Sequence, residues 1–510
     1  MGRLSCIMIR PVHSLFFLAF LFFLLSSLSI SGAPGPYTFD FNADCRKAYS
    51  EIIKLKLNTG RLILDEEKKL HPNNLVPYFL DNYIDFFTLY FNEDPVEYQR
   101  RKPLLDQRLA LLKKGDPSSP FFLFTRSVIY FQWAAVEIKF GERWDAAWSF
   151  RKSFLTGNEN LQKFPDFQPS RMLQGAMQVA ASTIPPGYQF ISSLLGIKGT
   201  LGSGMNNLES MLGSNDPDAI IFHEEAAFYF LYLKFYILNQ RQQVFQYINQ
   251  QNWDTKNNHL LAYLVANLSL NNQNASVTEG IINKLNRGPD YLDMSTWDMQ
   301  MGYAKADRLD KESIIYLERF LSRFKGKFYV KDALQKISWI YYLQGENEKA
   351  EAARARIFVL GSTETDADKQ AQKEAELGRW PNELLLRARL LDDGGYYIQA
   401  LQLFEDKHGS SFPDPADQLE YFYRTGRIYD ALSRTDEALI AYREALRLGE
   451  NRSEYYGARA ALQIGYIYES RGDKKKALEY FKKVLEMKSH DYKNALDQKA
   501  KAGVERCTSG

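Results

Sequence analysis

Apolar residues recur at helical spacing through most of the chain, and little of it alternates with the period of two that a strand requires. The N-terminus follows a different rule. Arg3 and Arg10 precede an unbroken apolar run, Leu15 to Leu25, which softens into SSLSISGA. A helix needs roughly 20 apolar residues to cross about 30 Å of hydrocarbon, so this run is too short to span. Basic residues before it and small ones after it fit a secretory signal peptide over 1–32. Pro34 disfavours cleavage after Ala33, which leaves the bonds after Ser31 and Gly32. The competing reading is an uncleaved anchor that Leu28 and Ile30 extend. Export predicts a periplasmic, envelope or secreted protein without a membrane span after cleavage.

The helical segments repeat one another. Gly426, Tyr429, Ala438, Tyr442 and Ala445 share their offsets with Gly465, Tyr468, Ala477, Phe481 and Val484. Ala388, Leu391, Ala400 and Phe404 keep them again. Looser copies begin at Ala134 (with Gly141, Ala146 and Phe150), at Ser338 (with Tyr341, Gly345 and Ala350) and at Ala48 (with Gly60, Leu64 and Pro72). The pattern resembles the tetratricopeptide repeat, a helical hairpin of about 34 residues. That resemblance implies an all-α, right-handed superhelical solenoid whose small residues let paired helices approach and whose aromatics fill the gaps. Two departures stand out. Ala388 to Gly426 spans 38 residues and Gly426 to Gly465 spans 39, so the connections are long. The closing proline of the repeat is replaced by Glu450 and Ser489.

The resulting division runs 33–164 for N-terminal hairpins, 165–213 for a Gly/Pro-containing irregular segment and 214–360 for central hairpins. A polar linker at 361–379, with Thr363 and Asp366 as N-cap candidates, precedes the array at 380–510 and its lysine-rich capping helix. Within 165–213 the pair Pro185-Pro186 and the glycines 196, 199, 202 and 204 resemble a segment of the inclusion-body-clearance family of tetratricopeptide proteins.

Charge and chemistry narrow the function further. The 510 residues carry 64 Lys+Arg against 62 Asp+Glu, a net charge of +2 that offers no global field for nucleic acid. The mature chain keeps only Cys45 and Cys507, which an elongated fold would hold too far apart to bridge, so both are expected as free thiols. The glycines before Met205 meet neither phosphate-binding signature, and His223-Glu224 is followed by Ala227 where a zinc protease needs His. Scattered histidines, aspartates without a calcium-loop glycine and the absence of a Gly-x-Ser-x-Gly elbow predict no metal, no cofactor and no catalytic residue. Asn267, Asn274 and Asn451 head glycosylation sequons.

A non-enzymatic scaffold for a protein or an extended peptide is the reading that remains. The resemblance implies that the second, fifth, ninth and twelfth positions of each first helix line the groove. These are Asn382, Leu385, Arg389 and Asp392, then Glu420, Tyr423, Arg427 and Asp430, then Arg459, Leu462, Tyr466 and Glu469. The arginines, tyrosines and carboxylates among them form the candidate site. The best known tail-binding set of the family needs Lys and Asn where Leu385 and Arg389 stand, so that clamp is not carried over. The alternative is a glycan- or nutrient-binding surface protein, for which 31 Tyr and 34 Phe would supply stacking area but no lipid-anchoring Cys is placed.

Overall fold

The computed structural model describes residues 36–182 and 200–508. Among them the chain forms 25 α-helices and, in place of a sheet, one isolated bridge between Thr38 and Asn74. The fold is the expected all-α solenoid. The signal segment 1–32, Pro185-Pro186, Gly196 and Gly199 lie outside the described residues.

Two glycines show why the repeats take this form. A Cβ on Gly426 would stand 2.6 Å from the Tyr442 ring, and one on Gly465 would stand 2.6 Å from Phe481. The first pair joins helices Pro415–Ala431 and Thr435–Gly449; the second joins Tyr456–Ser470 and Lys474–Glu486. The shared offset is therefore a steric pair, a missing side chain on one helix filled by a ring on the next. Ala438 and Ala477 are fully buried on the second helices. The copy at Ala388 is truncated: Glu383–Gly394 is followed by the six-residue helix Tyr397–Gln402, although Phe404 still packs with Ala388 and Leu385. All three looser copies are helical hairpins. Phe121–Lys139 turns into Arg143–Lys163, Val330–Leu343 into Asn347–Ile357, and Ala43–Ile53 into Leu57–Leu70.

Two segments differ from expectation. Residues 165–213 are helical at both ends, with Pro169–Ser182 and Leu201–Leu212 crossing where Gly175 would place a Cβ 2.7 Å from the carbonyl oxygen of Gly204. Gly175 and Gly204 serve close backbone packing at this crossing. The stretch 361–379 is not a free linker. It contains helix Asp366–Glu376, capped by Thr365 and not by Thr363 or Asp366. The fully buried Asp368 reaches across to accept the backbone N–H groups of Tyr329, Lys331 and Asp332 at 2.7, 2.9 and 3.1 Å. It thereby satisfies the open amides at the start of Val330–Leu343.

The core is also less segmented than nearest-neighbour stacking predicts. One continuous apolar cluster runs from Phe41 to Met301, and smaller clusters follow one another through the later hairpins. Rings from non-neighbouring helices cause this: Phe222 packs on Tyr49 and Phe124, with centroids 5.0 and 5.2 Å apart. The coil then closes on itself. Ala502 of the last helix, Lys493–Thr508, joins that N-terminal cluster, and Glu505 accepts the N–H of Leu201 at 3.2 Å. Across another seam Glu93 pairs with Lys139 at 2.7 Å and accepts the N–H groups of Lys327 and Phe328. The chain is thus a closed coil where an elongated one was expected. Cys45 is buried, Cys507 is half-buried, and both are free thiols.

Candidate functional site

Closure of the coil leaves an interior cavity of about 470 Å³. Its wall draws on both halves of the chain. From the N-terminal half come Tyr90, Tyr232, Tyr236, Tyr263 and Arg241. Successive inner helices of the other half contribute Tyr303, then Asp332 and Lys336, then Asp393, then Arg427, then Arg459 and Gln463. Asp393 and Arg427 stand 34 residues apart on successive inner helices, so stacking of the repeats brings them face to face.

Most charges on this wall are engaged. Arg427 binds Asp393 at 2.7 Å and Asp392 at 3.2 Å. Asp392 is fully buried and also accepts the Gln273 amide at 2.8 Å; burial, with the neighbouring Asp393 charge against Arg427, pushes it up to about 6. Lys336 faces Asp307 at 3.8 Å, and burial pushes that carboxyl up to about 7. Arg241, at the start of helix Arg241–Gln250, differs. It lies over the Phe235 ring at 4.9 Å, and its Nε is buried without a hydrogen-bond partner.

The nine expected groove residues are distributed over several roles. Arg427 and Arg459 line the cavity. Arg389 and Glu420 line a separate hollow of about 230 Å³, where the Arg389 guanidinium lies 4.5 Å from the Trp339 ring centroid and 3.4 Å from Glu374. Asp392 and Tyr423 are fully buried, and Asp430 is half-buried. Glu469 is held by Arg506 through two bonds of 2.7 and 2.8 Å, and Tyr466 packs edge-on against Phe481. Of their neighbours, Asn382 caps its helix, while Leu385 and Leu462 are core. Asn267 lines the cavity and accepts the Tyr236 hydroxyl at 2.8 Å, whereas the sequon residues Asn274 and Asn451 are exposed. Sequence reasoning missed Asp393, Gln463, Lys336 and Tyr303, which the repeat spacing could have reached, and Arg241, for which no repeat signal exists.

Among the described residues no three His, Cys, Asp or Glu side chains are grouped to hold a metal ion, and no helix is long and apolar enough to cross a membrane. Residues 419–451 and 458–491 match the tetratricopeptide repeat family. No curated protein sequence matches the chain. Among solved structures it is similar to the Cut9–Hcn1 hetero-tetramer of the APC/C, at 12% identity over 90% of this chain and 95% of that one, with a TM-score of 0.26. It is likewise similar to a monomeric IFIT1 mutant with m7Gppp-AAAA, at 12% identity over 86% of this chain and 80% of that one, with a TM-score of 0.27. The class is therefore an all-helical solenoid carrying tetratricopeptide repeats in its C-terminal array.

Proposed function

We propose that the protein is a non-enzymatic scaffold that receives a protein segment or an extended peptide inside its coil and works outside the cytoplasm. The cavity between the two halves carries this reading. Inner helices from Thr296–Ala306 to Tyr456–Ser470 each place polar or aromatic side chains on one wall, the arrangement with which helical repeats meet an extended chain. Arginine and tyrosine, which dominate it, are the residues that anchor most binding hot spots. In this reading Arg427 and Arg459 face the ligand, and Arg389 and Glu420 serve the smaller hollow. Asp392 holds Arg427 in place, Glu469 is taken up by Arg506 and Tyr466 packs on Phe481, while Tyr423 is buried and Asp430 half-buried. Kinship of 165–213 with the inclusion-body-clearance proteins belongs to the same proposal and transfers no function.

A photo-crosslinker on Gln463→Cys, in a Cys507→Ser background, tests the site. Cys45 is buried and burial pushes its thiol up to about 12, so it does not compete for label. The cavity position should capture a partner from extracts of the native host, and the same label on the exposed Lys475→Cys should not. Equal capture from both positions, or none from Gln463→Cys, sinks the reading. Export has its own check. N-terminal sequencing of the native protein should begin between Ile30 and Ala33. A chain that retains Leu15–Leu25 would instead be membrane-anchored.

A further inference from the structure

Two half-buried cations on the cavity wall, Arg241 and Arg459, and the half-buried Lys499 near them lack the carboxylate partners of the neighbouring cations. Arg427 and Arg424 engage Asp392 and Asp393, Lys336 faces Asp307, and Arg506 is held by Glu469. Among the described residues no carboxylate lies within 4.0 Å of Arg241, Arg459 or Lys499. These three come from separate helices, Arg241–Gln250, Tyr456–Ser470 and Lys493–Thr508, that only closure of the coil brings together. Arg459 has the Tyr455 ring at 5.9 Å and only longer-range attraction to Tyr423 and Asp393, and Arg241 donates a single long bond of 3.4 Å to the Asn271 carbonyl. The buried Tyr466 hydroxyl also has no partner. Burial, together with the Arg459 and Arg241 charges, pushes the Lys499 ammonium down to about 7. Gathering like charges where water is scarce, with no carboxylate in contact, is costly unless something anionic joins them.

We propose that this end of the cavity is an oxyanion-binding site, at which Arg241 and Arg459 grip a carboxylate or phosphate of the ligand while Lys499 adds charge behind them. Guanidinia present paired donors that match both groups. The cavity, at about 470 Å³, is of ordinary ligand-pocket size and admits an acidic side chain or a small phosphate. Because Arg241 belongs to the N-terminal half and Arg459 to the terminal array, a bound anion bridges the two walls. The inference rests on the scaffold reading in taking the cavity as the ligand surface, and it adds the chemistry that the ligand must carry.

Titration calorimetry and thermal melting of the full mature chain test it, with inorganic pyrophosphate and octaglutamate as probes against KCl of equal ionic strength. A saturable rise in melting temperature beyond that of KCl is expected with at least one probe. Arg241→Gln and Arg459→Gln should each weaken that probe by at least about tenfold. Neutralising Lys474, Lys475 and Lys476 together should leave it unchanged. Binding of pyrophosphate alone identifies a free oxyanion as the source, and binding of octaglutamate identifies an acidic chain; either supports the site. A response equal to that of KCl overturns it, as does binding retained in both Gln variants. The ligand-free variants should melt no lower than the wild type, since each loses a half-buried cation with no carboxylate in contact; a lower melt in both would make these cations structural and overturn the assignment. If Gln463→Cys captures a partner while both probes fail, the oxyanion site is wrong and the scaffold stands. Probe binding without any captured partner gives the reverse result.

Discussion

Replacing Glu225 by Ala is expected to destabilise the N-terminal half by about 3–5 kcal/mol, read as a shift in the urea midpoint. The carboxylate is 5% exposed and accepts three tyrosine hydroxyls, from Tyr49 at 2.6 Å, Tyr83 at 2.8 Å and Tyr229 at 2.9 Å. Two of those rings come from helices Ala43–Ile53 and Val76–Asn92, so one side chain ties three helices of the continuous core. Truncation leaves three buried hydroxyls without an acceptor, each a desolvation loss of about 1–3 kcal/mol that relief of the buried charge partly offsets. Glu225→Gln keeps an acceptor oxygen and should lose much less.

The same carboxyl gives a pH signature. Burial raises its pKa, while the three hydroxyls pull the other way without cancelling the rise. A raised folded pKa means that its contribution is complete below the unfolded value of about 4.3 and is lost as pH climbs through the folded one. The stability gap between wild type and Glu225→Gln should therefore be wider at pH 4.5 than at pH 7.5. An equal gap at both would show that the group stays ionised in the fold.

Arg424→Ala is the second large expected effect, about 3–5 kcal/mol by thermal and urea unfolding of the C-terminal array. The side chain is 1% exposed and meets Glu420 at 3.1 Å, Asp392 at 3.9 Å and Asp393 at 4.0 Å, with the Tyr423 and Tyr456 rings against its plane. Its removal leaves Arg427 as the sole close cation for two adjoining aspartates, one of them fully buried. Arg424→Lys restores a charge but not the planar fork that spans three carboxylates, and should recover only part of the loss. A loss below about 1 kcal/mol for the Ala variant would show that Arg427 alone neutralises the pair.

The features legible in the sequence are those decided by contacts between adjacent helices. Gly426 with Tyr442 and Gly465 with Phe481 are steric pairs inside single hairpins, so their spacing survives as a pattern. The site was legible only in part for the same reason. Of the inner-helix positions, Arg427 and Arg459 line the cavity, but Asp393 lines it and not Asp392, because one residue along a helix turns a side chain by about 100°. Glu225 with its tyrosines lies beyond sequence reasoning, since Tyr49 and Glu225 meet across 176 residues. Arg241 acquires its role only through closure, which no local spacing encodes. Asp368, within an apparently polar linker, likewise looks solvated until its backbone partners are seen.

Closure also fixes an order of assembly. The two ends of the coil are joined only when Lys493–Thr508, the last helix described, docks through Ala502 and Glu505 onto helices formed hundreds of residues earlier. The hairpins of the C-terminal array rest mainly on their neighbours and can form early; the joint between Leu201 and Glu505 spans 304 residues and has a larger chain entropy to overcome. Refolding should accordingly run in two kinetic stages, fast acquisition of helix followed by a slower step that creates the interior.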